Sequence, residues 1–255
     1  MSIPALAPLF VGDFEHYRDV LVLPGQDDRP GVPGRELTTP EGVENLLETY
    51  RQFQPGDDRR ALMSLWSRYY FVRLMVPVVA ANLVLGRELP VNLDRIEVIL
   101  GEGGVPESFR LPDEGSAFSE APTDPFERFH ELLDQNLEPM IDGWNREVKI
   151  SRKVLWNNAA NYLEWLIGAL GGLGLPESML ADGQALVRTE IRGDGRTNPL
   201  ANPVRYVERG EDRETLRQRR YCCIRYRLPD MPLCANCPLI DRPPKGARLP
   251  EPVTG

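Results

Sequence analysis

Apolar residues recur at helical spacing along much of the chain, and the breaks between runs carry recognisable stop and start signals. Residues 1–36 hold no such run. Pro24, Gly25, Pro30, Gly31, Pro33 and Gly34 mark them as loop-rich. Thr39 followed by Pro40 is a favoured helix start, and Val43, Leu46, Leu47 and Tyr50 then share one face. Asp57 opens a second helix to about Met75, with Leu62, Leu65, Trp66, Tyr69 and Arg73 on one stripe. Pro77 is expected to kink or restart it, with a further apolar helix to Leu85. Residues 94–100 alternate polar and apolar and read as a strand; Gly101, Gly103 and Gly104 turn the chain, and 107–111 pair back. Asp124-Pro125-Phe126-Glu127 has the pattern of a capping box for a long helix through about Trp144. Ser151 caps the next helix, which carries Leu155, Trp156, Ala159, Tyr162, Leu163 and Leu166 and stops at Gly171-Gly172. Pro176 starts a short helix to about Val187. Residues 203–208 and 215–224 alternate across a turn at Gly210 and read as a hairpin, and the proline-rich stretch 242–255 reads as a disordered tail.

Composition narrows the class. At 255 residues the chain can bury one sizeable core, and its 42% hydrophobic and 27% charged residues are those of an ordinary soluble protein. A net charge of −8 argues against a general nucleic-acid binder. The longest apolar stretch, Leu74–Leu85, contains Pro77 and Asn82 and reads as a buried helix, so no integral membrane segment is expected. The start MSIPALAPLF has neither a basic n-region nor a long apolar h-region, which predicts a cytoplasmic protein with reduced thiols.

The chemistry is concentrated at the C-terminal end. All four cysteines lie after residue 221, as Cys222-Cys223, ten residues, Cys234, two residues, Cys237. Thiols confined to one segment of a non-secreted chain point to a metal site rather than a disulfide framework. Cys234-Ala235-Asn236-Cys237 is a knuckle that zinc would accept; Cys222-Cys223 is not, because adjacent side chains diverge. A [2Fe–2S] core is more permissive, since it asks for two thiolates on each of two irons. The run from Leu216 to Arg227 holds five arginines and no acid, against the sign of the whole chain, and nearby cations favour thiolates and an extra electron. A zinc-stabilised helical binding module, and a [2Fe–2S] electron carrier or redox sensor with another acceptor, stay open at this point.

The C-terminal run RRYCCIRYRLPDMPLCANC resembles the FhuF family of ferric siderophore reductases, whose signature is Cys-Cys, ten residues, Cys, two residues, Cys. Ser64-Leu65-Trp66 before Leu74-Met75-Val76-Pro77, Trp156-Asn157-Asn158 with Tyr162 and Trp165, and Asn198-Pro199-Leu200 extend the likeness over most of 45–240. The resemblance implies one [2Fe–2S] cluster on Cys222, Cys223, Cys234 and Cys237. It also implies one-electron reduction of a ferric siderophore of hydroxamate type, with iron released in the cytoplasm. No catalytic residue beyond the cluster ligands is called for, because the reaction needs no general base or nucleophile. No nicotinamide or flavin fingerprint is present, so a separate electron donor is expected: a ferredoxin, a flavoprotein or an NAD(P)H-dependent reductase. Arg225, Arg227 and Arg220 are candidates for tuning the cluster or steering an anionic chelate. Trp156, Asn157 and Asn161 are further candidates for the substrate cleft, although core packing explains such a helical stripe as well.

The expected fold is therefore α+β: a predominantly α-helical single domain over 1–240 with one or two small β-hairpins. Within it, 1–36 is a loop-rich N-terminal segment and 203–240 the hairpin and C-terminal iron–sulfur segment, followed by a disordered tail over 241–255.

Overall fold

The computed structural model describes residues 3–208 and 215–250. Seven α-helical segments and eight short strands form its regular structure, joined by 3-10 turns. Helix α1 (Pro40–Phe53) begins as its sequence dictates: the Thr39 hydroxyl accepts from Gly42 N–H at 3.0 Å and Pro40 takes the first position. Helix α2 (Arg59–Leu85) is capped by Asp58, whose carboxylate accepts from the amides of Arg60 and Ala61. It runs unbroken through Pro77, where a kink or restart was expected. The missing N–H and ring clash cost about 3 kcal/mol in a helix interior. Burial of Leu74, Met75, Val76, Val78 and Val79 on both sides of the proline outweighs this, at about 1.5–3 kcal/mol per large apolar side chain.

The long helix expected from Asp124 is divided. It consists of α3 (Pro125–Arg128), α4 (His130–Leu132), a π-turn over Leu133–Leu137, and α5 (Glu138–Val148). Pro139 has no N–H to offer the carbonyl of Gln135, and Leu93 N–H donates to that carbonyl instead, at 3.0 Å. Helices α6 (Arg152–Gly172) and α7 (Glu177–Arg188) complete the set. Alpha2 and α6 pack along each other through the centre of the molecule.

Strands β1 (Leu21–Val22), β2 (Gly31–Pro33), β4 (Glu97–Leu100) and β5 (Pro106–Arg110) form a sheet in the order β1-β5-β4-β2, with only β1–β5 parallel. The strand expected over 94–100 starts at Glu97, because Asn92 accepts from Asp94 and Arg95 and holds 92–96 in a turn. Strands β3 (Arg87–Glu88) and β6 (Ser116–Ala117) pair, as do β7 (Val204–Val207) and β8 (Leu216–Arg219). The β7–β8 hairpin is the one expected near the cysteines, although β8 stops at Arg219; its turn at Gly210 lies outside the described residues.

The main core is centred on Trp66, Tyr70, Phe71, Phe109 and Trp144, all fully buried. Trp66 and Trp144 meet edge-on at 5.5 Å, and their indole N–H groups donate to the carbonyls of Gly104 and Leu37. Helix α2 is long and apolar enough to cross a bilayer, but two thirds of its most apolar window is buried inside the protein, as in a core helix. Gly143 lets α5 approach Thr38 so closely that an added Cβ would sit 2.4 Å from the Thr38 Cβ. Gly143→Ala is expected to lower unfolding free energy by about 1–3 kcal/mol, since overpacking outweighs the gain of up to about 1 kcal/mol in helix propensity. Urea unfolding followed by far-UV circular dichroism checks this.

Candidate metal centre

Strand β8 leads directly into the cysteines. The Cys222 thiol touches those of Cys223 and Cys237, and the Cys234 thiol touches the same two, so the four sulfurs form a closed ring. Cys222 and Cys237 are 3.7 Å apart at sulfur. All four are free thiols; Cys223, Cys234 and Cys237 are buried and Cys222 partly so. With Leu233 they make a small core of their own, apart from the main one.

A strained turn brings the adjacent cysteines together. Ile224 is left-handed (φ 53°), which a β-branched residue adopts only at a cost of about 1–3 kcal/mol. In that conformation Ile224 N–H donates to the Cys222 sulfur at 3.3 Å and the Arg225 amide donates to Cys223. Leu239 N–H donates to the Cys237 sulfur at 3.4 Å. The Cys222 and Cys234 sulfurs also share hydrogen bonds with the other two. Cys223 is therefore held well below the usual thiol range and Cys237 at about 3, while Cys222 and Cys234 are pushed up.

The rest of the protein holds this loop by polar contacts. Asn158, fully buried on α6, donates to the Ser64 carbonyl at 3.0 Å and the Ser67 hydroxyl at 3.0 Å, and accepts from the Arg219 guanidinium. Ser64 in turn donates to the Cys223 carbonyl at 2.7 Å. Asn157 accepts from Tyr221 N–H at 2.6 Å and donates to the Pro203 carbonyl at 2.8 Å. Asn161 accepts from Arg217 and from Asn236 inside the knuckle, and Gln218 donates to the Cys237 carbonyl at 3.2 Å. From 241 onward, where a disordered tail was expected, the described residues fold back. Leu233 N–H donates to the Arg248 carbonyl at 2.8 Å and Ala247 packs on the cysteines; residues 251–255 lie outside the described set.

The arginines divide differently from their order in the sequence. Arg225 donates to the carbonyls of Pro232 and Leu233, tying the two cysteine pairs together. Arg227 turns away to Asp58, the cap of α2, at 3.2 Å. The cations whose charge reaches the thiols are Arg219, only 2% exposed, and Arg68 on α2. Neither stands out in the sequence: Arg219 is one arginine among five, and Arg68 is distant along the chain. Trp156, Asn157 and Arg220 come together around a cavity beside Tyr221, while Arg225, Arg227 and Asn161 lie outside its lining.

Residues 64–214, more than half of the chain, match the family described as ferric iron reductase FhuF-like transporter. The chain belongs to the FhuF family. Residues 219–239 match the FhuF 2Fe–2S C-terminal domain, so the cofactor of this FhuF protein is a [2Fe–2S] cluster and its activity is that of an iron–sulfur ferric reductase. A protein named ferric siderophore reductase from Escherichia coli (strain K12) is 27% identical over 210 residues, which cover 80% of this chain and 78% of that one. Among solved structures, ATP-bound aerobactin synthetase IucA from a hypervirulent pathotype of Klebsiella pneumoniae superposes with a TM-score of 0.53 at 14% identity. That alignment covers 70% of this chain and 38% of the synthetase; IucA in a second structure gives 0.51 at 13%, over 66% and 36%. The likeness is one of fold, over little more than a third of the synthetase.

The donor set fits a [2Fe–2S] core. Four thiols converge, backbone amides already point at three of the sulfurs, and the buried Arg219 with the partly buried Arg68 offsets anionic charge. Among the described residues no three His, Cys, Asp or Glu side chains are arranged around a single ion; the thiols touch one another instead.

Proposed function

We propose that Cys222, Cys223, Cys234 and Cys237 ligate the [2Fe–2S] cluster, and that the protein reduces a ferric siderophore of hydroxamate type to its ferrous form, releasing iron in the cytoplasm. The observation that carries this reading is the ring of four thiols inside the segment that matches the 2Fe–2S domain. When bound, the cluster supplies one electron at a time. The chain's own residues hold the thiols in a partly buried loop, direct amide N–H groups at sulfur, and offset the added charge with Arg219 and Arg68. Hydroxamate oxygens are hard donors that hold Fe(III) far more tightly than Fe(II), so reduction alone loosens the iron and leaves the chelator intact. No group need act as a base or nucleophile. The electron reaches the protein from a separate donor: a ferredoxin, a flavoprotein or an NAD(P)H-dependent reductase. Residues 1–240 are read as one reductase domain.

The test is anaerobic purification, a visible spectrum, and iron, sulfide and zinc assays on one sample. The expected result is red-brown protein with about two irons and two sulfides per chain. Dithionite should bleach it, and a ferric hydroxamate should restore the colour faster than a simple ferric salt does. Colourless protein with one zinc per chain would select a zinc-stabilised binding module. Equal reoxidation by free ferric salts and chelates, without affinity for the chelate, would select an electron carrier with another acceptor.

A further inference from the structure

We infer that the cavity beside Tyr221 is the site where the chelate binds, and that it selects ferric chelates carrying free carboxylates and net negative charge. This rests on the reductase reading and adds the location and the chemical class of its substrate. The cavity is about 470 Å³, and Trp156, Arg192 and Tyr221 are among its lining residues. That size is typical of a small-molecule site. Tyr221 immediately precedes Cys222, so a ligand seated there lies against the cysteine segment.

Charge defines the class of ligand. Arg152, Lys153, Arg192, Arg196 and Arg220 line the cavity, against only Asp134 and Glu138. Both acids are already engaged: Asp134 with Arg192 at 2.8 Å and Arg196 at 3.4 Å, and Glu138 with Arg152 at 3.3 Å and Arg196 at 3.6 Å. Lys153 and Arg220 have no carboxylate partner among the described residues. Arg152 is also paired with Asp142 at 2.8 Å and Arg196 with Asp194 at 2.6 Å, so the surplus positive charge of the wall is that of Lys153 and Arg220, in a chain whose net charge is −8. The first turn of α6 adds the positive end of its dipole at Arg152 and Lys153, and the Ser151 side chain does not cap it. A neutral ferric trihydroxamate has no use for this surplus, whereas carboxylates on the chelator do.

Two of the lining residues carry a buried donor without a partner. Trp156 Nε1 and Arg192 Nε have no hydrogen-bond partner, although the residues are 5% and 7% exposed and both line the cavity. A buried donor left without a partner is unfavourable, and a carboxylate oxygen that reached either one would satisfy it.

Calorimetric titration of the cluster-loaded protein with gallium(III) chelates tests this, because gallium(III) separates binding from electron transfer. One probe is the complex of a citrate-based dihydroxamate, with free carboxylate; the other is the complex of a trihydroxamate without any. The anionic probe is expected to bind about tenfold or more tightly at low ionic strength, an advantage that shrinks with added salt. Lys153→Ala/Arg220→Ala should weaken the anionic probe by about tenfold and the neutral one by less than about twofold. Trp156→Phe keeps the ring and removes the N–H; it should weaken the anionic probe without lowering thermal stability. Equal affinity for both probes, or no change in the double variant, would overturn the assignment. If the dithionite-reduced protein is still reoxidised by the ferric chelates in that case, the reductase reading stands and only the cavity falls. Gallium binding as expected, with no reoxidation by either ferric chelate, would leave the cavity and overturn the reductase reading.

Discussion

Cys237→Ser is expected to strip the protein of its cluster while leaving its helices folded. A serine hydroxyl stays protonated where a thiolate is required, and iron–sulfur ligation asks for the thiolate. Cys237, like Cys223, is a sulfur held toward the thiolate. The neighbouring Cys222 and Cys234 sulfurs lower its pKa, with further help from Leu239 N–H. Its loss also opens the ring, because Cys222 and Cys234 each touch it. The small core of Cys223, Leu233, Cys234 and Cys237 is separate from the main core around Trp66 and Trp144, so the damage stays local. Iron and sulfide should fall from about two per chain toward zero, with the visible bands and ferric-chelate reduction lost together. Far-UV circular dichroism should keep the signal of α1 to α7. Cys234→Ser should behave alike. A full complement of iron in both variants would overturn the ligand assignment.

The cysteine spacing was legible because it is a local property of the chain, and so were helix starts that rest on one or two residues, such as Thr39-Pro40. What could not be read depends on partners distant in sequence. Nothing in 124–144 announces that Leu93 will take the carbonyl that Pro139 leaves free, and that exchange produces the π-turn. In the four-stranded sheet the β4–β5 pair was legible, being local, while β1 and β2 escape for the same reason: they are two and three residues long and join it from a distance along the chain. In the cysteine segment, nearness along the chain misleads. Arg225 and Arg227 flank the ligands but spend their donors on carbonyls and on Asp58, whereas Arg68 reaches the thiols from α2. Asn157, Asn158 and Asn161 stand out on the sequence as polar residues in an apolar helix. Only the structure shows that all three anchor the cysteine segment.

Asn158→Ala is expected to be the most damaging substitution outside the ligands themselves. Asn158 is completely buried, and its amide spans α2 and β8: one end donates to Ser64 and Ser67, the other accepts from Arg219. Losing a neutral buried hydrogen bond costs about 1–3 kcal/mol. A hydrogen bond to a charged group is worth about 1.5–3 kcal/mol, and Arg219, with Nε already unpartnered, loses one. The two losses together should lower unfolding free energy by about 3 kcal/mol in Asn158→Ala. Arg219→Met removes the charge and fills a similar volume. In that background Asn158→Ala should cost only about 1–2 kcal/mol, giving a coupling well outside the additivity expected of independent sites. Arg219→Met should also lower the midpoint potential, because a cation near Cys223 favours the added electron. Urea unfolding of the two single variants and the double variant measures the coupling, and a redox titration measures the potential. Additivity to within about 0.5 kcal/mol, with an unchanged potential, would show that Arg219 is neither held by Asn158 nor sensed by the metal centre.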